Sequence, residues 1–245
     1  MLNMTTTADA ATTGMKEIAG ALGGGIRDDS MMIIEGEAKA GKSVLSQHLT
    51  YGALNCKDNA VVYYTTESSI EDMIAQMDSM SLPTKHDFVT DRLRIYSLNS
   101  PGIFENSPEF LRLLVKHISE LPKRFNLVVV DSITPFMNQK NSVINMDFLQ
   151  SCKELCEQGR SIILAVGSHV FDERTLYRTY LMSDYYLKIK SNDTVIGTGQ
   201  VDERVLKTLE VTKLGGAERQ PQEGIKFEIK PKVGIQILPF VTVKA

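Results

Sequence analysis

The residues from Gly36 to Ser43 have the types and the spacing of a phosphate-binding loop. They read Gly-Glu-Ala-Lys-Ala-Gly-Lys-Ser and match the pattern G-x-x-x-x-G-K-[ST] at every specified position. Two glycines let the backbone fold back, so that successive N–H groups point inward. We expect the Lys42 ammonium to reach the β- and γ-phosphates of a nucleotide, and the Ser43 hydroxyl to bind Mg²⁺. The predicted nucleotide-binding residues are Glu37, Ala38, Lys39, Ala40, Gly41, Lys42, Ser43 and Val44.

The segments on either side of this loop support the interpretation. Residues 31–35 form a short apolar run, which is typical of a buried strand, and apolar residues recur at helical spacing after Ser43. The partial positive charge at the N-terminus of that helix would favour a bound phosphate. A strand, a glycine loop and a helix in this order distinguish a functional loop from a chance match.

Two acidic residues that could assist nucleotide chemistry follow later strands. Asp131 ends the apolar run 126–130, where it could organise Mg²⁺ directly or through water, or merely cap the next turn. Glu67 follows the predicted strand 60–65. Its carboxylate could orient or deprotonate an attacking water, or simply favour the first turn of the next helix.

Polar residues after the fifth predicted strand form a further candidate. Ser168 and His169 follow the run 161–166, at the sheet edge where open α/β sheets bind ligands. His169 could sense the γ-phosphate or link it to the following loop, and an ordinary structural role is about as well supported.

Cations near the C-terminus suggest chemistry between subunits. In a ring, Lys213, Arg219 and Lys226 could reach the phosphates bound by a neighbouring subunit, as trans-acting cations do in other NTPases. For any one of them, a solvated surface position is the simpler alternative. We take Lys213 as the candidate catalytic residue of this group, together with Glu67 and His169.

Composition narrows the class of protein. The 245 residues carry a formal net charge of −3, which argues against wholesale binding to nucleic acid or to anionic membranes. The three cysteines predict reduced thiols, with Cys152 and Cys156 as buried core residues rather than a metal pair. No apolar run is long enough to span a bilayer, so we expect membrane association only through a partner.

The order of the predicted elements indicates an α/β fold. Strands alternate with helices up to residue 167, which predicts a mostly parallel central sheet covered by helices on both faces. After that, short strands separated by Gly and Pro predict an antiparallel extension of one sheet edge. We expect residues 1–17 to be a mobile tail and residues 18–245 to form a single nucleotide-binding domain.

Several segments together resemble a known superfamily. The cluster Leu22-Gly23-Gly24-Gly25-Ile26, the step Thr66-Glu67 and the run ending at Asp131 resemble the RecA superfamily, closest to its KaiC-like branch. Within that branch, the chain resembles the archaellum (archaeal flagellum) accessory family FlaH, also called ArlH. The segments that carry this narrower resemblance are Ile34-Glu35-Gly36, Gly41-Lys42-Ser43-Val44-Leu45-Ser46-Gln47, Tyr51-Gly52-Ala53-Leu54, Tyr64-Thr65-Thr66-Glu67, Gly167-Ser168-His169 and Pro231-Lys232-Val233-Gly234-Ile235.

The resemblance implies a RecA-like core that binds ATP and Mg²⁺ and forms a homo-hexameric ring. It implies a cytoplasmic protein, peripheral at the membrane base of the archaellum, that acts in assembly or regulation with slow or no intrinsic hydrolysis. The implied partners are the archaellum motor ATPase, the membrane platform protein and the cytosolic scaffold or switch ring proteins, with no nucleic acid.

Two departures from the KaiC-like pattern favour binding over rapid turnover. KaiC-like ATPases often carry two adjacent acids after the second strand, whereas here Thr66 precedes a single Glu67. Their trans-acting Lys-x-Arg is replaced by Lys213-Leu214-Gly215, and a trans arginine is worth about 10³–10⁵ in rate. Two alternatives on the same core are a recombinase-like, DNA-associated ATPase and a KaiC-like autokinase.

Overall fold

The computed structural model describes residues 2–3, 18–20, 22–98, 107–137, 142–192, 205–215, 217–218 and 224–238. The strands are β1 (Leu2–Asn3), β2 (Gly25–Ile26), β3 (Met31–Gly36), β4 (Ala60–Thr65), β5 (Leu93–Ser97), β6 (Phe125–Asp131), β7 (Ser161–Gly167), β8 (Tyr185–Asn192), β9 (Leu206–Leu214), β10 (Ala217–Glu218), β11 (Ile225–Lys230) and β12 (Gly234–Ile237). The helices are α1 (Lys42–Leu54), α2 (Ile70–Ser79), α3 (Lys85–Val89), α4 (Ser107–Glu120), α5 (Ser142–Glu157) and α6 (Glu173–Met182), with a 3₁₀ turn at Thr134–Phe136.

Most of the strands belong to one mixed sheet. Its order is β12-β11-β9-β8-β3-β7-β6-β4-β5, and β10 pairs with β9. The strands from β8 to β5 in this order run parallel, whereas β9, β11 and β12 pair with antiparallel neighbours. The predicted α/β fold, a parallel sheet with an antiparallel C-terminal extension, is therefore confirmed.

The sheet separates two apolar cores because successive side chains of each strand point to opposite faces. Met32 and Ile34 of β3 pack with α1, α2 and the C-terminal strands, whereas Met31 and Ile33 pack with α4, α5 and α6. The second core also contains the unpaired thiols of Cys152 and Cys156, as predicted. No helix among the described residues is long and apolar enough to cross a membrane.

The predicted element bounds agree with the structure to within about one residue for most strands, and the differences have local causes. Apolar residues at helical spacing predict a helix over 148–157, but α5 already begins at Ser142, because its first turn exposes Val143 and so lacks apolar periodicity. The composition of Ser191-Asn192-Asp193 predicts a hairpin turn, which is wrong at its first two residues, since Ser191 and Asn192 continue β8 and pair with β9. Helix α3 buries no residue, so no periodicity could predict it.

The N-terminal segment lies partly within the described residues. Leu2–Asn3 pairs antiparallel with Gly25–Ile26, within the glycine cluster that precedes β3. Residues 4–17 of the predicted tail and Arg219 lie outside the described part of the chain.

Candidate functional site

The phosphate loop leaves the sheet at the end of β3, which lies between β7 and β8. The Ala40 N–H closes the loop by donating to the Glu37 carbonyl, at 3.2 Å. Gly41 has φ 108°, a left-handed conformation that favours glycine, and α1 begins at the next residue. The first turn of α1 contains no acidic residue, so its free N–H groups and partial positive charge are available to an anion.

The Lys42 side chain extends back to the first residues of the phosphate loop. Its ammonium donates to the carbonyls of Gly36 at 2.9 Å and Glu37 at 2.8 Å. Burial lowers the pKa of Lys42, while the charges of Asp131 and Glu67 oppose that shift. Both acids predicted from the sequence are therefore close enough to act on this lysine.

Asp131 lies at the end of β6 with one carboxylate oxygen facing the loop. The Ser43 hydroxyl donates to Oδ1 at 3.1 Å, and the buried Tyr63 hydroxyl donates to Oδ2 at 2.6 Å. The side chain is only 4% exposed, and this burial raises its pKa against the effect of both hydrogen bonds. The structure thus brings together the two residues that the sequence predicted as the metal site.

This donor set fits Mg²⁺. The ion prefers hard oxygen ligands and is usually bound through one or two protein groups, with nucleotide phosphates and water completing its octahedron. The Ser43 hydroxyl and the Asp131 carboxylate are oxygen donors held next to each other at the phosphate loop. Ser43 could bind the ion directly and Asp131 could bind it through water.

Glu67 and His169 lie at the same sheet edge and reach solvent. Glu67 is exposed directly after β4, where its N–H donates to the Thr65 hydroxyl at 3.4 Å. The His169 side chain, which is 87% exposed, has its Nε2 atom 4.0 Å from Oε1 of Glu37 in the loop. Both residues therefore lie near the phosphate loop, Glu67 by its charge effect on Lys42 and His169 by its distance from Glu37.

A family comparison agrees with this geometry. The family model described as "ATPase: KaiC" matches residues 11–241 of the chain. This chain belongs to the KaiC family of ATPases. The resemblance to the KaiC-like branch, which the glycine cluster 22–26, Thr66-Glu67 and the run ending at Asp131 indicate, is thereby confirmed.

Proteins similar to this KaiC-family chain, found by sequence and by structure, are named FlaH. The archaeal flagellar ATP-binding protein FlaH of Sulfolobus acidocaldarius is 27% identical over 219 residues, 88% of this chain and 91% of that protein. FlaH of Methanocaldococcus jannaschii is 29% identical over 220 residues, with 88% and 89% covered. The crystal structure of flagellar accessory protein FlaH from M. jannaschii shares the fold, with a TM-score of 0.70, 21% identity and 91% and 96% coverage.

The second acid of the KaiC-like pattern is replaced here by a residue with a structural task. Thr66 is 6% exposed, and its N–H donates to the Asp131 carbonyl at 2.9 Å. Its hydroxyl accepts from the Ser132 N–H at 3.0 Å. The chain of hydrogen bonds continues through the hydroxyls of Ser132 and Thr134, at 2.6 Å, to the Gly167 N–H, at 2.9 Å. Thr66 therefore joins the ends of β4, β6 and β7 and carries no charge.

Lys213 lies away from the loop of its own KaiC-family chain. It is 6% exposed, and its ammonium donates to the carbonyls of Tyr180 and Leu181 at 2.8 Å each, near the C-terminal end of α6. Along β8, Lys213 pairs with Tyr186, whereas Gly36 at the start of the loop pairs with Ile189. Lys213 therefore lies several residues away from the end of the sheet that carries the loop. Lys226, by contrast, is exposed on β11.

A second lysine contacts the loop, and no pattern in the sequence indicates it. Lys207 of β9 is 8% exposed, and its ammonium donates to the Lys39 carbonyl at 2.7 Å. Burial lowers the pKa of Lys207. A Cβ atom at Gly41 would lie 3.0 Å from Ile229 and 3.6 Å from Lys207, so the C-terminal strands pack directly against the loop. A contact between residues 168 positions apart leaves no local pattern.

Proposed function

We propose that this chain is an ATP-binding component of the archaellum motor that acts in assembly or regulation rather than as a rapid ATPase. The observation that carries the nucleotide part is the pairing of Ser43 with Asp131 at the start of α1, at 3.1 Å. The relatives named archaeal flagellar ATP-binding protein FlaH, matched over 88% of this chain, supply the cellular context.

Each part of the loop has a role in holding ATP. The N–H groups between Ala38 and Ser43 bind the phosphates, aided by the positive end of α1. Lys42 exchanges its carbonyl partners at Gly36 and Glu37 for phosphate oxygens. Mg²⁺, when bound, neutralises phosphate charge next to Ser43 and Asp131.

We expect slow hydrolysis because the site has few charged groups that could assist the reaction. Glu67 can orient water, but Thr66 supplies hydrogen bonds to the sheet where a second acid would supply charge. Within one chain, the Lys213 ammonium is occupied by helix carbonyls. Stabilisation by a trans cation can be worth about 10³–10⁵ in rate, so a site without it is expected to hold ATP for longer.

The same proposal extends to the oligomeric state, the location and the partners of the protein. We infer a homo-hexameric ring at the cytoplasmic side of the membrane base of the archaellum. Its partners would be the motor ATPase, the membrane platform protein and the cytosolic scaffold or switch ring proteins. Bound ATP would set the shape of the ring and hence its affinity for these partners.

Replacing Lys42 by alanine should lower ATP affinity by about 10- to 100-fold, because one charge-assisted contact to the phosphates is lost. Isothermal titration calorimetry with a slowly hydrolysed ATP analogue measures this loss. The matched control is Lys57→Ala, an exposed lysine beyond the C-terminal end of the same helix, which should bind like the wild type. Equal affinity of the two variants would contradict the assignment of the loop.

The regulatory part is tested with the same Lys42 variant. Binding to the archaellum motor ATPase, measured with and without ATP, should depend on ATP for the wild type and not for Lys42→Ala. ATP turnover measured on the same samples should be slow. Rapid hydrolysis without a partner, or partner binding that ignores ATP, would contradict a nucleotide-controlled assembly role.

A further inference from the structure

Tyr63 lies in the middle of β4 and has a fully buried side chain. It points to the α1 side of the sheet, where it belongs to the same apolar core as Leu45. A tyrosine in such a place needs a partner for its hydroxyl, since leaving a buried hydroxyl unpaired is unfavourable. That partner is Asp131, at 2.6 Å.

The direction of this hydrogen bond is set by chemistry. An ionised carboxylate can only accept, so the phenol donates its single hydrogen to Oδ2 of Asp131. The other oxygen, Oδ1, accepts from the Ser43 hydroxyl at 3.1 Å. The two oxygens of Asp131 therefore have different partners, one in the core and one at the phosphate loop.

This division fixes the rotation of the carboxylate about its Cβ–Cγ bond. With Oδ2 held by a side chain that is itself packed in the core, Oδ1 stays directed at Ser43. We propose that Tyr63 is a positioning residue, which orients Asp131 toward the Mg²⁺ that accompanies a nucleotide in the loop. The inference rests on the proposed nucleotide-binding function. A residue in the core would thus orient a carboxylate near the ion, as residues that contact the ligand side chains do in metal sites.

The neighbouring residue provides a matched control. Tyr64 is also buried, at 2% exposure, and its hydroxyl lies 2.7 Å from Nδ1 of His117. Its side chain lies in the core on the opposite face of the sheet, away from Asp131. Removing either hydroxyl deletes one oxygen atom and one hydrogen bond from the same strand. Only the loss of the Tyr63 hydroxyl should weaken the binding of Mg²⁺.

The experiment compares Tyr63→Phe and Tyr64→Phe with the wild type. ADP affinity is measured by calorimetry in EDTA and in excess Mg²⁺, and the ratio of the two affinities is the gain due to the ion. We expect Tyr63→Phe to reduce this gain by about 10- to 100-fold, as loss of an outer-shell partner does, and to leave the affinity in EDTA unchanged. Tyr64→Phe should keep the gain of the wild type.

A double-mutant cycle with Asp131→Asn separates positioning from a loosened core. If Tyr63 acts through Asp131, Tyr63→Phe should have no further effect on the gain in the Asp131→Asn background. A full gain in Tyr63→Phe, or an equal loss in Tyr64→Phe, would overturn the inference and leave nucleotide binding intact. A wild-type protein that binds no ADP in either buffer would overturn the proposed function itself, and this inference with it.

Discussion

Acidification from about pH 7 to about pH 4 should remove about 3 kcal/mol from the free energy of unfolding through His48 alone. His48 is 1% exposed in α1, and burial lowers its pKa from 6.5 to about 4. Between these two values the unfolded chain binds a proton that the folded protein excludes. The loss of stability therefore begins near pH 6.5 and accumulates until the pH reaches about 4.

Denaturant unfolding at a series of pH values measures this loss. The matched variant is His48→Gln, which can still accept a hydrogen bond but does not titrate. Its stability should change less between pH 6.5 and 4 than that of the wild type, whatever its stability at neutral pH. Parallel pH profiles for the two proteins would show that His48 is not the group responsible.

The geometry around His48 explains why it must stay neutral. The Ile235 N–H donates to Nε2 at 3.1 Å, so this nitrogen must keep its lone pair. Gly234, at φ 72°, approaches so closely that a Cβ atom there would lie 2.3 Å from Nε2. A proton at Nε2 would therefore face an N–H donor with no space for a new partner.

Replacing Lys213 by methionine should lower the free energy of unfolding by about 3 kcal/mol. Methionine keeps most of the apolar stem but removes the ammonium that bonds to the carbonyls of Tyr180 and Leu181. Those carbonyls lie in the last turn of α6, where the helix dipole favours a cation, and the Tyr180 carbonyl also accepts from the Ser183 hydroxyl at 3.0 Å. The ammonium also lies 5.3 Å from the centre of the Tyr180 ring, a cation–π contact.

The control for Lys213 is Lys190→Met. Lys190 is 58% exposed and pairs with Glu210 at 2.8 Å, so its loss should cost below about 1 kcal/mol. Thermal or urea unfolding of both variants gives the comparison. If Lys213→Met is as stable as the wild type but slows ATP turnover in the assembled protein, the role between subunits is the correct one.

Local patterns predicted most of what positions the site. Strand alternation and helical periodicity identified the parallel strands, and the motif identified the loop. Asp131 ends one parallel strand and the phosphate loop before Ser43 follows another, so both lie at the same sheet edge. These inferences succeed because each depends on residues near one another in the chain or on a general rule of topology.

Contacts between distant segments could not be predicted in this way. Lys207 and Lys213 occupy the same strand, yet one bonds to the phosphate loop and the other to a helix end. In the sequence, Lys207 looks like an ordinary strand lysine, and Lys213 stands out only as a cation for a neighbouring subunit, not as the partner of a helix end. In the sequence, Tyr63 likewise looks like any other aromatic strand residue. Only the structure shows that its hydroxyl reaches Asp131, at the end of β6. Pairing across the sheet, which a single sequence does not encode locally, decides such roles.

The packing of the C-terminal strands on the phosphate loop has a consequence for synthesis. Ile229, which would lie 3.0 Å from a Cβ at Gly41, is made about 190 residues after the loop. A ribosome adds about 5–20 residues per second, so the loop waits roughly 10 to 40 seconds for its support. A nascent chain that has exposed the whole motif thus still lacks the surface on which the loop rests. The finished site belongs only to a chain whose last strands have joined the sheet.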